Sequence, residues 1–534
     1  MSVKKLKKAA GLTIVFLAIL STSAFAATPT VWVVPSSLKR VRPMDAAGGE
    51  KNALVHAARG EYESFQIAIQ APRSGLTNVN FSISSLVGPR GVVISRENLI
   101  LYREWYVTVK HHSPTYNGPP NLPITNVNTF PDALIPFRDP DTGMLPLNAE
   151  YKAAPFDLRP GYNAVIWIDI FVPRGTPAGS YQGTYTVTAE QGVSEGQIDL
   201  EVWGFTLPLE PSLNSSFNGC CTTVPGVNEE LLRNRIMPDT VGLSRERILI
   251  DRWGLNATDL GFFSGVSYGQ CKASEPPSIQ VIEEAKALHP PSLYLYDDSA
   301  DPESSCTSQA FYDAMIRWGQ NLHRAGIENL VTQEPLPQLY DDGLGNGHSA
   351  VDIWTMLPLA YDDAQSFSPP RVTHVLEKGD KAWSYNALVQ DSYSPKWELD
   401  FLPIDYRVQA GFISQSLGLT GLLYWSVDDW SRDPWKDPQG GQNPAYPGEG
   451  VLVYPGGPAG LKGVAPSMRL KYLRDGVEDY EYVQLLKNCG QAAFALAEAE
   501  KVGPDWSRWT RDERLLESVR ERLGTQIAAS NCAP

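Results

Sequence analysis

Ser292-Leu-Tyr-Leu-Tyr-Asp-Asp-Ser299 is the stretch that most limits what this chain can fold into. Its apolar-aromatic run, Leu293 to Tyr296, is entered from Pro290-Pro291 and ends in two adjacent carboxylates, Asp297 and Asp298. A short run of this kind, bounded by breakers, predicts a buried strand. A parallel barrel carries its chemistry at the carboxyl ends of its strands. Two acids at such a tip suit glycosidic cleavage, in which one group protonates the leaving oxygen and the other stabilises or attacks the anomeric centre. The plainer alternative is a carboxylate pair that caps a helix or closes a turn.

The pattern on either side of Pro211 differs. From Thr28 to about Leu209 it is β: Phe65, Ile67 and Ile69 alternate with Ser64, Gln66 and Ala68. Trp167–Val172 leads through Pro173 and Thr176-Pro-Ala-Gly179 into Tyr181–Thr188, which reads as strand, turn, strand. Few helical periods interrupt this region, so an antiparallel sandwich is expected. After Pro211, short apolar runs alternate with helical segments at Glu229–Arg235, Ile282–Leu288 and Phe311–Ala325. The runs include Ser292–Tyr296, Asn329–Thr332, Ala350–Trp354, Ala382–Tyr385 and Gly421–Ser426. That alternation predicts parallel β/α structure over the usual span of a (β/α)8-type barrel.

Chemistry-capable side chains recur at the ends of these runs. Beside Asp297 and Asp298 they include Tyr296, Glu334, Trp354, Trp383, Tyr385, Trp425 and Asp428. Aromatics at strand tips can simply plug a barrel mouth, but Trp and Tyr are also the platforms on which sugar faces stack. Clustered with carboxylates, they favour a carbohydrate site. No C-x-x-C or His-rich spacing is present, so neither a metal site nor a cofactor is expected.

The last stretch is helical. Leu470, Leu473, Val477 and Tyr480 step by three and four as a core-facing stripe, while Arg474 with Glu478 and Asp475 with Asp479 stand at i,i+4 on the other side. A salt-bridged helix packed on the barrel follows, with no catalytic role. The expected division is a leader over 1–26, a β-sandwich over 27–210, a barrel over 211–465 and a helical segment over 466–534.

The leader is read from Lys4, Lys5, Lys7 and Lys8, the apolar run Ala9–Leu20 and the small-x-small tail Ala24-Phe25-Ala26. Cleavage near Ala27 and a secreted or periplasmic address are the expectation, and a retained anchor is the alternative. No later stretch is long and apolar enough to span a bilayer as a helix, so stable membrane insertion is not expected after leader removal. Losing four lysines takes the formal charge from −15 to −19. So acidic a chain is a poor partner for nucleic acid or anionic lipid, whereas neutral sugars are indifferent to the charge. Six cysteines in an exported chain permit disulfides, of which Cys489 with Cys532 is the expected pair. Adjacent Cys220 and Cys221 rarely bond each other, for geometric reasons.

Several longer motifs carry a family resemblance. Met468-Arg-Leu-Lys-Tyr-Leu-Arg-Asp-Gly-Val-Glu-Asp-Tyr-Glu-Tyr482, with Thr420–Ser426 and Val451–Gly456 before it, resembles domain-of-unknown-function family 4091, which is akin to the catalytic domain of glycoside hydrolase family 123. Leu231–Pro238, Val351–Trp354, Ala382–Tyr385, Arg59–Gln66 and Pro131–Phe137 extend the resemblance over most of the mature chain. It implies a β-sandwich before a (β/α)8 barrel and a retaining N-acetyl-β-galactosaminidase that uses the substrate's own acetamido oxygen as nucleophile. It also implies an adjacent Asp-Glu pair at a strand end, matched here by Asp297 as polariser and Asp298 as acid/base. Asp298 departs from that pattern, since Asp withdraws the carboxylate by about 1.5 Å relative to Glu. The backbone advances to compensate, another acid such as Glu334 or Glu303 takes the role, or activity is lost or changed. Because successive strand residues point to opposite faces, both carboxylates share one pocket only if the strand ends or bulges at about Asp297. The expected function is cleavage of β-linked N-acetylhexosaminides. The rivals are a glycosidase for a sugar without the acetamide and a catalytically silent glycan-binding protein.

Overall fold

The computed structural model describes residues 1, 28–114, 129–146, 148–219, 224–358, 369–439, 442–530 and 532. The expected leader beyond Met1, and Cys220 with Cys221, lie outside them.

The amino-terminal half is two facing sheets. One runs in the order Thr30–Val33, Tyr62–Gln70, Asn163–Phe171, Leu99–Thr108, Thr129–Pro136, and the other contains Ala53–Arg59, Gly192–Thr206, Gly179–Ala189, Leu76–Ile83 and Phe156–Leu158. Phe65, Ile67 and Ile69 pair across the ladder with Ile168, Ile166 and Ala164, and all of them enter one buried core with Tyr185 and Leu200 from the other sheet. The other face of Tyr62–Gln70 is covered too, so Gln66 is buried and donates through Nε2 to the carbonyl oxygens of Ser37 and Lys39 at 2.6 and 3.1 Å. Two expectations need correction. Ala53–Arg59 lies parallel to Gly192–Thr206, so the sandwich is not wholly antiparallel. The reversal between Phe171 and Gly179 carries the chain from one sheet to the other and closes no hairpin, because the inner face of each strand needs a partner across the core.

The second half is built on a seven-stranded parallel sheet that nearly closes on itself. Its order is Asn214–Phe217, Gly421–Tyr424, Lys381–Tyr385, Ile353–Met356, Glu328–Val331, Tyr294–Ala300, Ala257–Asp259. The remaining gap is bridged by a short segment that forms no full strand. Phe217 N donates to Met237 O (3.0 Å), Asp239 N to Phe217 O (3.2 Å), and Asp259 N to Asp239 O (2.8 Å). Helices Val227–Arg233, Ile279–Lys286 and Gln309–Arg324 fall close to their expected positions. Ser308 caps the longest of the three by accepting a 3.2 Å bond from Phe311 N.

Period-two alternation sorts the strand residues. Tyr296, Leu330, Ile353, Trp383 and Leu423 form one cluster inside the barrel, while their neighbours Trp354, Ala382 and Leu422 join the core under the helices. The interior is tight: a Cβ on Gly421 would meet the Trp383 ring at 2.3 Å, so only glycine fits there.

The helix Met468–Asn488 departs from its expected setting. Leu470, Leu473, Val477 and Tyr480 are buried as expected, but Arg469, Arg474, Glu478 and Asp479 are buried as well. Arg474 pairs with Asp169 (3.0 Å) and Asp475 (2.8 Å), and Arg469 pairs with Asp132 (2.9 Å). Asp132 and Asp169 belong to the first sheet of the sandwich, so the polar side of this helix meets the other half of the molecule and not solvent. Burial disfavours isolated charges by several kcal/mol. Arg469, Arg474 and Asp479 are ion-paired, whereas Glu478 accepts from Tyr62 N at 3.1 Å and burial raises its carboxyl to about 8.

Candidate active site

The strand Tyr294–Ala300 passes through both acids. Asp297 is level with Asn329 and Asp298 with Leu330, and the register shifts only after Asp298, between it and Ala300. The strand neither ends nor bulges at Asp297, so the two carboxylates point to opposite faces. Asp298 follows Tyr296 by two and lies on the interior face, half-buried, at the opening of the barrel. Asp297 is fully buried in the wall, where Oδ1 accepts a 2.9 Å bond from Phe262 N and Oδ2 has no partner among the described residues. Burial, and secondarily the nearby Asp259, push the Asp297 carboxyl up to about 8.

Asp298 is one of a chain of acids around the opening. Asp259, at the end of the neighbouring strand, accepts a 2.9 Å bond from Asp298 N, and burial raises its carboxyl to about 6. Asp239, on the bridging segment, is raised to about 7 by burial and also feels Asp259. Asp301 and Glu303 follow the Asp298 strand, and Asp301 acts on both Asp298 and Glu303. Asp298 stands well above the usual carboxylate range, first through burial, then through Asp259, Asp301, Asp297 and Asp239. Glu303 reaches about 6 by burial and Asp301, with the Tyr385 hydroxyl, 3.1 Å away, holding it down. Glu303 and Ser304 both have left-handed backbones, φ 42° and 61°. That conformation is costly for non-glycine residues and is retained where the surroundings impose it. One restraint is the disulfide Cys271–Cys306, which ties this loop to the loop after Asp259.

The other side of the opening is aromatic. Trp425 donates through Nε1 to Glu449, whose carboxyl burial raises to about 7. A Cβ on Gly450 (φ 71°) would meet the Trp425 ring at 2.7 Å, so the glycine allows the loop to lie against it. Glu334 accepts from Ser304 Oγ and Gln333 Nε2, which ties the end of the Glu328–Val331 strand to the Glu303 loop.

The structure therefore brings together Asp298, Glu334, Tyr385 and Trp425. Tyr296 and Trp383 lie deeper, in edge-on contact at 5.5 Å inside the barrel, and form the floor. Trp354 is outside this group: its ring faces the helices, packs edge-on against Tyr340 and donates to Asp380 at 3.0 Å. The expectation that Trp354 shares a cleft with Tyr385 and Trp425 fails because Ile353, not Trp354, has the inward position. Asp428 is buried in the loop after Trp425 and bridges to Val451. Asp239, Asp259, Asp301 and Glu449 were not legible as site residues. Only Asp259 had a sequence signal, as the acid closing the short run Ala257-Thr-Asp259. Among the described residues no group of three or more His, Cys, Asp and Glu is arranged to hold a metal ion.

Residues 38–189 match the model of the glycoside hydrolase 123 N-terminal domain, and residues 376–486 that of the glycoside hydrolase 123 catalytic domain. The second match takes in Tyr385, Trp425 and Glu449 and starts after the Asp298 strand. Among solved structures, a family 123 glycoside hydrolase from Clostridium perfringens, described for glycolipid glycan hydrolysis, superposes with a TM-score of 0.67. It is 15% identical, and the overlap covers 95% of this chain and 99% of that one, which shows a shared fold. A putative alpha-galactosidase from Bacteroides fragilis NCTC 9343 overlaps 70% of this chain and 65% of its own at 12% identity, with a TM-score of 0.22, too low to bear on the fold. No curated protein matches the sequence.

Proposed function

The chain is related to glycoside hydrolase family 123, which makes glycoside hydrolysis its class of chemistry, and from that premise we propose that it cleaves β-linked N-acetylhexosaminides, N-acetylgalactosaminides foremost, with retention and substrate assistance. The observation that carries the reading is that Asp298 and Glu303 flank one opening in different settings: burial and four neighbouring acids hold Asp298 well above the usual carboxylate range, while the Tyr385 hydroxyl, 3.1 Å away, holds Glu303 down to about 6. Pairs of acids separated in this way divide into a proton donor and an anion.

Asp298, whose proton burial and the surrounding acids help to retain, gives that proton to the leaving glycosidic oxygen. The substrate's acetamido oxygen attacks the anomeric carbon as the bond to that oxygen breaks. Glu303, ionised, stabilises the positive charge that develops on the resulting oxazolinium. Water then adds at the anomeric carbon from the vacated side, Asp298 takes its proton, and the acetamide is released with configuration retained. Asp297, the residue that the family pattern gives as polariser, is assigned the wall side, where it holds the loop at Phe262. Trp425, half-buried at the opening, supplies the face against which the sugar lies, and Tyr385 holds Glu303 from beneath.

Export belongs to the same proposal. The lysine-rich leader supports it, as do two disulfides, which persist in oxidising compartments. Mass spectrometry of protein recovered outside the cytoplasm should find an amino terminus close to Ala27, and an intact Met1 there would refute it.

The test of activity is a screen of the purified chain on chromogenic β-glycosides with and without a 2-acetamido group, with product stereochemistry followed by NMR. Cleavage of the acetamido sugars with retention is expected. Cleavage confined to sugars without the acetamide would mean that two protein carboxylates do the work, and glycan binding without turnover would mean a silent binding protein.

A further inference from the structure

A second cavity, of about 730 Å³, lies in the amino-terminal sandwich, away from the barrel opening. Arg42, Arg103 and Arg159 line it, with Tyr106, Tyr162 and Asn163. None of the three guanidiniums has an ion-pair partner among the described residues. Their contacts are with aromatic faces and a carbonyl: Arg103 lies 4.0 Å over the Phe156 ring and donates to Lys152 O at 3.0 Å, Arg159 lies 4.3 Å over Tyr162, and Arg42 lies 5.3 Å over Phe130. The carboxylates at the rim form no ion pair with these guanidiniums, although Asp45 acts on Arg42 through space. Asp45 Oδ2 accepts from Arg42 N at 2.8 Å, and Asp157 Oδ1 accepts from Asn78 N at 2.9 Å.

This is an unusual place for unpaired cations. The chain carries a formal charge of −15, and acidic partners are plentiful elsewhere. Arg103 is half-buried, its Nε has no hydrogen-bond partner, and burial brings its guanidinium down to about 10. A desolvated cation with an open donor is costly unless something supplies the missing charge. The cavity is also held in shape. Asn163 Nδ2 donates to Arg42 O and Asp45 O, both at 2.9 Å, and Tyr106 donates to Val41 O at 3.0 Å. Arg103, held by Lys152 O and the Phe156 ring, is thus pre-positioned, while Arg159 is exposed and lies against Tyr162. The volume is that of a small-ligand site, large enough for one or two sugar rings.

We propose that this cavity binds an acidic sugar of a glycan, one bearing a carboxylate or a sulfate, through the guanidiniums of Arg42, Arg103 and Arg159. The arginine fork matches either oxyanion, and the tyrosines give the sugar ring an apolar surface. Such a site would hold a charged branch of a glycan independently of the bond broken at the barrel.

The test is titration calorimetry of the full chain with a methyl uronide, a sulfated galactoside, the neutral methyl galactoside and inorganic sulfate. At least one acidic sugar should bind while the neutral one does not, and the tighter of the two identifies the oxyanion. Arg159→Ala and Arg42→Ala alter side chains at the rim of the cavity and should each weaken binding roughly tenfold or more. Arg103→Met should abolish it, and Arg103→Lys should not restore it, because a lysine cannot fork. Turnover of a small neutral aryl glycoside, where present, should be unchanged by Arg159→Ala, which keeps this site distinct from the catalytic one. The proposal is overturned if no acidic sugar binds up to about 10 mM. It is also overturned if the rim variants bind as wild type does, or if inorganic sulfate binds as tightly as the sugars.

Discussion

Tyr385 donates a 3.1 Å hydrogen bond to Glu303, joining the ends of two barrel strands across 82 residues of chain. The bond favours the ionised form of Glu303 and so holds down a carboxyl that burial and Asp301 push up. Removing it with Tyr385→Phe should raise the Glu303 pKa above about 6. Because Glu303 acts as the anion, the acid limb of the kcat/KM profile should move to higher pH while the alkaline limb stays. A shift of the alkaline limb instead would exchange the roles of Glu303 and Asp298.

Asp298→Asn removes proton donation to the leaving group, a loss of roughly 10²–10⁴-fold in kcat. An activated aryl glycoside departs with little protonation and should recover much of that loss. Glu303→Gln removes charge stabilisation and should not be recovered by the same substrate. Asp298→Glu lengthens the acid by about 1.5 Å. A gain in rate would mean that the short side chain is a handicap, and a loss that the loop has adapted to it.

Asp297 makes stability depend on pH. Its carboxyl is raised from 3.8 to about 8 in the folded chain, so the fold prefers the protonated form. The stabilisation is full below about pH 4, where the unfolded chain is also protonated, and is lost as pH rises through about 8. Asp297→Asn keeps an oxygen for Phe262 N and has no charge to bury. Its unfolding free energy should fall less between pH 5 and pH 9 than that of wild type, by on the order of 3 kcal/mol in chemical denaturation.

Trp425 and Trp354 should separate binding from folding. Trp425→Ala removes a sugar platform and should cost roughly 1–3 kcal/mol of glycan affinity with stability little changed. Trp354→Ala empties a packed site beneath the helices and should cost about 3–5 kcal/mol of stability, with affinity unchanged in the folded fraction. Calorimetric titration beside thermal melts would measure both.

Cys271–Cys306 and Cys489–Cys532 should differ in the same manner. Each closes a loop of comparable length, so replacing either pair by Ser should cost roughly 3–4 kcal/mol. Only the first pair anchors the Glu303 loop, and only its loss should also lower kcat.

Much was legible from local pattern. The apolar runs with their breakers located five of the seven barrel strands to within a few residues and missed the short Asn214–Phe217 and Ala257–Asp259, and the Phe65-Ile67-Ile69 alternation located a sandwich strand. The Cys489–Cys532 pairing is present as expected, and the resemblance to family 123 stands with the matched domains. The strands depend on periodicity and spacing, which the order of residues states directly, whereas the resemblance rests on whole motifs such as Met468–Tyr482. What the order of residues left open was which side of each strand faces inward, because a period of two is the same whichever face is buried. Packing decided that Ile353 and not Trp354 points into the barrel, and that Asp298 faces the opening while Asp297 faces the wall. It decided, too, that the charged side of Met468–Asn488 is a buried seam against Asp132 and Asp169, since a salt-bridged surface helix and a paired interior one carry the same residues. The acids gathered around the opening, Asp239, Asp259, Asp301 and Glu303, come from the bridging segment, the end of the neighbouring strand and the loop that follows Ala300. Pairing of Ala257–Asp259 with Tyr294–Ala300, with the bridging segment laid beside them, brings Asp239, Asp259 and Asp298 near enough to shift one another's protons.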